Sequence, residues 1–163
     1  MFMGAVNAFT GETGKAKNLL NGAKSRSISL NAREYKRSQQ KWVVIGDDNY
    51  GEGSSREHAA LSPRLLGGSA VIARSFARIH ETNLKKQGLL ALTFEDPDDY
   101  DRVLEDDRID ILGLSAMKPG KQMNCVINHA DGATEQIKLN HSYNQTQIEW
   151  FKKGSFLNLF HST

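Results

Sequence analysis

Gly46-Asp-Asp-Asn-Tyr-Gly-Glu-Gly-Ser-Ser-Arg-Glu-His58 stands between the apolar run Trp42-Val-Val-Ile45 and the segment Ala59-Ala-Leu61. The apolar run reads as a buried strand and the segment after the glycines as the first turns of a helix, so the order is strand, glycine loop, helix. Gly46, Gly51 and Gly53 can take positive φ and let the backbone come close to a ligand. Ser54 and Glu57 have the spacing of a capping box. That spacing predicts free amides of Ser55, Arg56 and Glu57 at the positive end of the helix, an arrangement suited to an anion.

Outward from the loop, the chain repeats the same alternation. Met3 to Phe9 reads as an opening strand and Leu30 to Gln40 as a helix with Asn31 as its cap. After the loop, Pro63 is expected to restart a helix that Gly67-Gly68 ends, and Ser69 to Ala73 reads as a second buried strand. Arg74 to Gly88 has a helical pattern closed by glycine, and Leu89 to Phe94 is a third apolar strand. Apolar strands separated by helices predict a parallel sheet covered on both faces. Pro97 to Leu104, with Asp96 as cap, reads as a short helix. Arg108 to Leu112, Met123 to Asn128 and Glu135 to Leu139 read as strands, the last two joined by a hairpin at Asp131-Gly132. Asn144 is expected to cap a closing helix from Gln145 to Lys153, stopped by Gly154, with Trp150 in the core. The fold class is therefore α/β, with a mostly parallel central sheet, an antiparallel ribbon and a C-terminal helix.

The 163 residues suit one domain, and 39% hydrophobic with 25% charged residues is ordinary globular composition. A net charge of +2, from 21 Lys+Arg against 19 Asp+Glu, argues against nucleic acid as a partner. No run approaches the roughly 20 apolar residues that cross a bilayer, so no membrane association is expected. Cys125 is alone, which excludes an internal disulfide and falls short of the thiolates an iron–sulfur cluster needs. The basic, serine-containing Met1 to Gln40 superficially suits a transit peptide, but its strand and helix patterns are ordinary domain parts.

A serine is a poor base unless its deprotonated form is stabilised, and local sequence forces no histidine or lysine beside Ser54. His58 lies one helical turn on, but no third group can be placed to orient it, and it is expected to be buried, packing the loop. An alkoxide held by loop amides and the charge of Arg56 is the better alternative. Arg56 also matches a carboxylate bidentately, with Ser55 adding a hydroxyl and an amide. The other account has Ser54 as a plain helix cap, Glu57 completing the box and Arg56 solvated; spacing alone does not separate the two. A phosphate loop is set aside, because the stretch lacks both the glycine-lysine-serine ending and the dinucleotide fingerprint. Arg74, Arg78, His80 and Lys85 are expected to form a solvated or interdomain face.

The run Gly46 to Leu61 closely resembles the signature of the aconitase family, and Gly67-Gly68, Ser75 to Leu90 and Asn144 to Phe151 resemble its mitochondrial form. The likeness runs from Met3 to about Asn158. It implies a single C-terminal swivel domain over residues 1–163, acting with cluster-bearing domains on citrate, isocitrate and cis-aconitate in the mitochondrial matrix. It implies Ser54 as the catalytic base and Ser55 and Arg56 as substrate-binding residues. The 4Fe-4S cluster of the complete enzyme would have its ligands elsewhere, since Cys125 does not stand at a ligand position and no metal ligand is expected on this chain. Asp48 replaces the family's usual glutamate. Two alternatives remain: a small subunit of an isopropylmalate-isomerase-like enzyme, which carries a related Ser-Ser-Arg-Glu-His run, and a non-catalytic structural or RNA-associated module.

Overall fold

A computed structural model describes residues 1–53 and 56–155. Ser54, Ser55 and residues 156–163 lie outside the described residues.

The middle of the chain forms three parallel strands with two helical crossovers. These are β3 (Trp42–Gly46), α2 (His58–Leu65), β4 (Gly68–Ala73), α3 (Arg78–Lys86) and β5 (Leu90–Phe94). Val71 and Leu92 are completely buried and Ile72 and Ala91 nearly so, as expected of strands covered on both faces. β3 is only half-buried despite its apolar sequence, because it is the sheet's edge and has a strand neighbour on one side.

The ribbon continues the same sheet. β6 (Arg108–Leu112), β7 (Met123–Asn128) and β8 (Thr134–Asn140) are antiparallel, and β8 pairs with β5, giving the order β3-β4-β5-β8-β7-β6. Their burial alternates, with Met123, Cys125 and Ile127 inside and Asn124 exposed. The hairpin loop is closed by His129 N–H to Ala133 C=O at 2.8 Å, around the expected Asp131-Gly132.

Helix α4 (Gln145–Lys152) closes the chain with a complete capping box: Asn144 Oδ1 accepts from Gln147 N–H at 2.9 Å, and Gln147 Oε1 accepts from Asn144 N–H at 3.1 Å. Ile148 enters the core and Phe151 packs against it. Trp150, expected in the core, is half-buried. Tyr143 holds the approach to this helix against β5, donating to Leu89 C=O at 3.1 Å and accepting from Ala91 N–H at 3.0 Å.

The amino end departs from the expected strand. Met3 to Phe9 is a series of turns with one bridge, Val6 to Thr13. Asn7 explains this: its Oδ1 accepts from Phe9 N–H and Thr10 N–H, giving the backbone a local alternative to a ladder. Two short strands, β1 (Lys15–Ala16) and β2 (Arg26–Ser27), then pair and lead into α1 (Ile28–Arg37). Asn31 does not cap α1, which begins after Ser27. Its buried side chain instead donates to Ala16 C=O and accepts from buried Asn18, tying helix to hairpin.

Candidate functional site

The glycine loop leaves the carboxyl end of β3, the end of a parallel sheet outside which ligands bind in open α/β folds. It is held to the connection between β4 and α3 by backbone hydrogen bonds. Arg74 N–H donates to Gly46 C=O at 3.2 Å, Tyr50 N–H to Ser75 C=O at 2.9 Å, and Ala77 N–H to Tyr50 C=O at 2.9 Å. Ser75 adds its side chain, accepting from Asn49 N–H at 2.8 Å. A Cβ on Gly46 would meet the Tyr50 ring at 2.6 Å, so the tyrosine folds back over the strand end only because glycine is there.

Beneath the loop lie two rings. Tyr50 packs edge-on against Phe76, with centroids 5.9 Å apart, and 5.4 Å from the centre of the His80 ring. Gly51, at φ +90°, lies so close to His80 that a Cβ there would overlap the imidazole. His80 is 3% exposed, and its Nδ1 has no hydrogen-bond partner among the described residues. A buried nitrogen left unpaired costs about 1–3 kcal/mol. Burial pushes the His80 pKa below the ordinary 6.5, keeping the ring neutral, and pushes the Tyr50 hydroxyl well above its usual range.

Of the three residues expected to do chemistry, Ser54 and Ser55 lie outside the described residues. Arg56 is exposed, and among the described residues its side chain takes part in no ion pair or hydrogen bond. Among the described residues the backbone N–H groups of Arg56 and Glu57 likewise have no hydrogen-bond partner. Unpaired amides and an unpaired guanidinium are the donors that an anion needs.

Several expectations about the loop are corrected. α2 begins at His58 with Glu57 as its N-cap, and Glu57 makes no cap bond with its side chain. Its carboxylate accepts instead from Gln87 Nε2 at 2.9 Å, bracing the loop exit against the end of α3. Pro63 does not restart a helix but lies within α2, near its C-terminal end. His58, expected to be buried, is exposed, because the helix turns its alanine-rich side inward and Ala60 is fully buried.

Nor do Arg74, Arg78, His80 and Lys85 share a solvated face. His80 is beneath the loop. Lys85 is 4% exposed, paired with Glu81 at 3.2 Å and donating to Ser142 at 2.7 Å. Arg74 reaches Asp47 at 3.5 Å and Asp101 at 3.3 Å. Only Arg78 is exposed. A signal for His80 was present in the spacing, since Leu84, one turn further along α3, is completely buried and points to the same side.

The residues present do not fit an iron–sulfur cluster. Cys125 is buried in the core and burial pushes its thiol up to about 11, against the thiolate a cluster requires. Among the described residues no three His, Cys, Asp or Glu side chains come together as a metal site. Among the described residues no helix is long and apolar enough to cross a membrane.

Fold and loop together define an α/β domain with a glycine loop at the carboxyl end of its parallel strands. The model of the aconitase C-terminal domain matches residues 2–97, and the chain belongs to that family. It is 57% identical over 158 residues to the mitochondrial aconitate hydratase of Emericella nidulans. It is 53% identical over 158 residues to the probable mitochondrial aconitate hydratase of Caenorhabditis elegans, and 54% over 156 residues to the mitochondrial aconitate hydratase of Saccharomyces cerevisiae. These alignments cover 96–97% of the chain but 20% of each relative, so the chain spans about a fifth of their length. Among solved structures, the 3-isopropylmalate dehydratase of Methanocaldococcus jannaschii matches with a TM-score of 0.53 at 23% identity, covering 81% of this chain and 71% of that one. That likeness shows the fold alone.

Proposed function

We propose that this chain works as the C-terminal swivel domain of a mitochondrial-type aconitate hydratase, closing one wall of a site for citrate, isocitrate and cis-aconitate. The observation that carries the reading is Arg56, exposed beside unpaired amides at the exit of the glycine loop, in a chain 57% identical to such an enzyme. Ser54 takes the substrate proton. Its alkoxide is stabilised by loop amides and the nearby cation, so it needs no histidine, and exposed His58 has no part in it. Ser55 and Arg56 hold a substrate carboxylate, the arginine through its planar fork. The remaining four-fifths of the enzyme carries the 4Fe-4S cluster and its ligands, and the assembled protein works in the mitochondrial matrix.

The test combines this chain with the cluster-bearing remainder of an aconitate hydratase and follows citrate–isocitrate conversion. The wild-type chain should restore turnover, and Ser54→Ala should lower kcat by about 10²–10⁴-fold, the usual range for a general base. Equal restoration by Ser54→Ala would overturn the base assignment. Preference for isopropylmalate over citrate would move the chain to the other enzyme.

A further inference from the structure

His80 is the group near the loop that the reading above leaves without a task. It is nearly fully buried, it is in ring contact with Tyr50 at 5.4 Å, and Gly51 rests on it so closely that no side chain fits between. An aliphatic residue of similar size would fill this place without leaving a polar atom unpaired. The ring nevertheless has a buried Nδ1 with no partner among the described residues. Polar atoms in cores are nearly always paired, and an exception close to a binding loop points to a bond made in another state of the site.

We propose that His80 is a positioning residue for the Ser54–Arg56 run: its ring sets the height of Gly51 and the tilt of Tyr50, and its Nδ1 makes the hydrogen bond that fixes the loop once an anionic substrate is seated. The proposal rests on the assignment of Ser54, Ser55 and Arg56 as the reacting and binding residues. His80 itself touches neither substrate nor the reacting proton. It acts through Tyr50 and Gly51, whose backbone leads into the run within a few residues. Displacement of a reacting group by about 1 Å costs on the order of 10²-fold in rate, which gives the scale of the effect.

The experiment uses two substitutions at His80 in the full chain. His80→Phe keeps a ring and removes the polar atoms; His80→Asn keeps an amide where Nδ1 stood. Hydrogen exchange at the amides of Tyr50, Gly51, Glu52 and Gly53 is measured after combination with the cluster-bearing remainder, without and with saturating citrate, and kcat and KM are measured on the same complex. His80→Phe should speed exchange at those amides in the citrate-bound complex and lower kcat by about 10–100-fold, with KM changed less. His80→Asn should recover part of the lost kcat.

Should His80→Phe destroy folding, Gly51→Ala approaches the same contact from the other side. It leaves His80 in place and forces a methyl against the ring, and the same faster exchange and lower kcat are expected. Wild-type exchange or wild-type kcat in folded His80→Phe or Gly51→Ala overturns the proposal, as does equal impairment by His80→Phe and His80→Asn. Ser54→Ala is run beside them: if it stays active, the catalytic assignment fails and the exchange measurements alone decide the role of His80.

Discussion

The Arg74 guanidinium lies 4.7 Å from the centre of the Tyr100 ring, stacked on it as a cation on a π face. From there it donates to Pro97 C=O at 3.1 Å and reaches Asp101 and Asp47. One side chain thus joins the start of the glycine loop to the 3₁₀ turn of residues 97–102. Both aspartates are largely exposed, at 62% and 72%, so each ion pair is worth under about 1 kcal/mol. Arg74→Lys should therefore change stability by less than about 1 kcal/mol, because a point charge keeps some attraction but cannot serve three acceptors and a ring together. Hydrogen exchange at Asp47 to Asn49 should rise measurably. An unchanged exchange pattern would mean that the backbone bond from Arg74 to Gly46 suffices by itself.

Arg56→Lys tests the carboxylate assignment. The ammonium keeps the charge and loses the fork, so in the reassembled enzyme KM for citrate should rise by about 10-fold or more. Arg56→Lys with the wild-type KM would favour a solvated arginine.

Tyr143 is 2% exposed and its hydroxyl serves both Leu89 and Ala91. Tyr143→Phe orphans a buried carbonyl and a buried amide next to a central strand. The cost should be about 1–3 kcal/mol, read as a lower midpoint in urea with unchanged slope. Leu92→Ala, at a completely buried position on β5, should cost about 2–5 kcal/mol in the same measurement.

The histidines should give pH dependences of opposite sign. His129 is hydrogen-bonded to Asp107 at 2.8 Å and lies 3.5 Å from Glu135; the Asp107 bond holds its pKa above 6.5. The folded state binds that proton more tightly, so the stabilisation is complete below about pH 6.5 and is lost as pH rises through the folded value. Burial pushes His80 and His141 below 6.5, and their contribution is complete above that pH and is lost as pH falls through the folded values. An NMR titration should find His129 titrating above 6.5 and the other two below. His129→Asn should flatten the fall in stability on the alkaline side, and a His129 resonance that titrates below 6.5 would contradict the ion-pair account.

Elements whose pattern repeats locally were legible in the chain. The strand ending at Ile45, the strands at 69–73 and 108–112, and the caps at Asp96 and Asn144 all follow from period, apolar runs and capping chemistry within a few residues. Met3 to Phe9 departs from a strand because the Asn7 side chain competes with the ladder, and Asn31 does not cap its helix because its acceptor, Ala16, is fifteen residues away. Side-chain partners at such distances leave no periodic trace.

By itself the sequence determined the order of strand, glycine loop and helix, the likeness of Gly46 to Leu61 to the aconitase signature, and Ser54, Ser55 and Arg56 as the residues to test. Tertiary structure decided what the loop rests on and where its helix begins. Glu57 finds Gln87 rather than completing a cap, His58 turns outward, and His80 is drawn under Gly51. The physical reason is that capping and periodicity are energies between neighbours in sequence, whereas burial of an imidazole and the close approach of a glycine depend on which elements the sheet brings together.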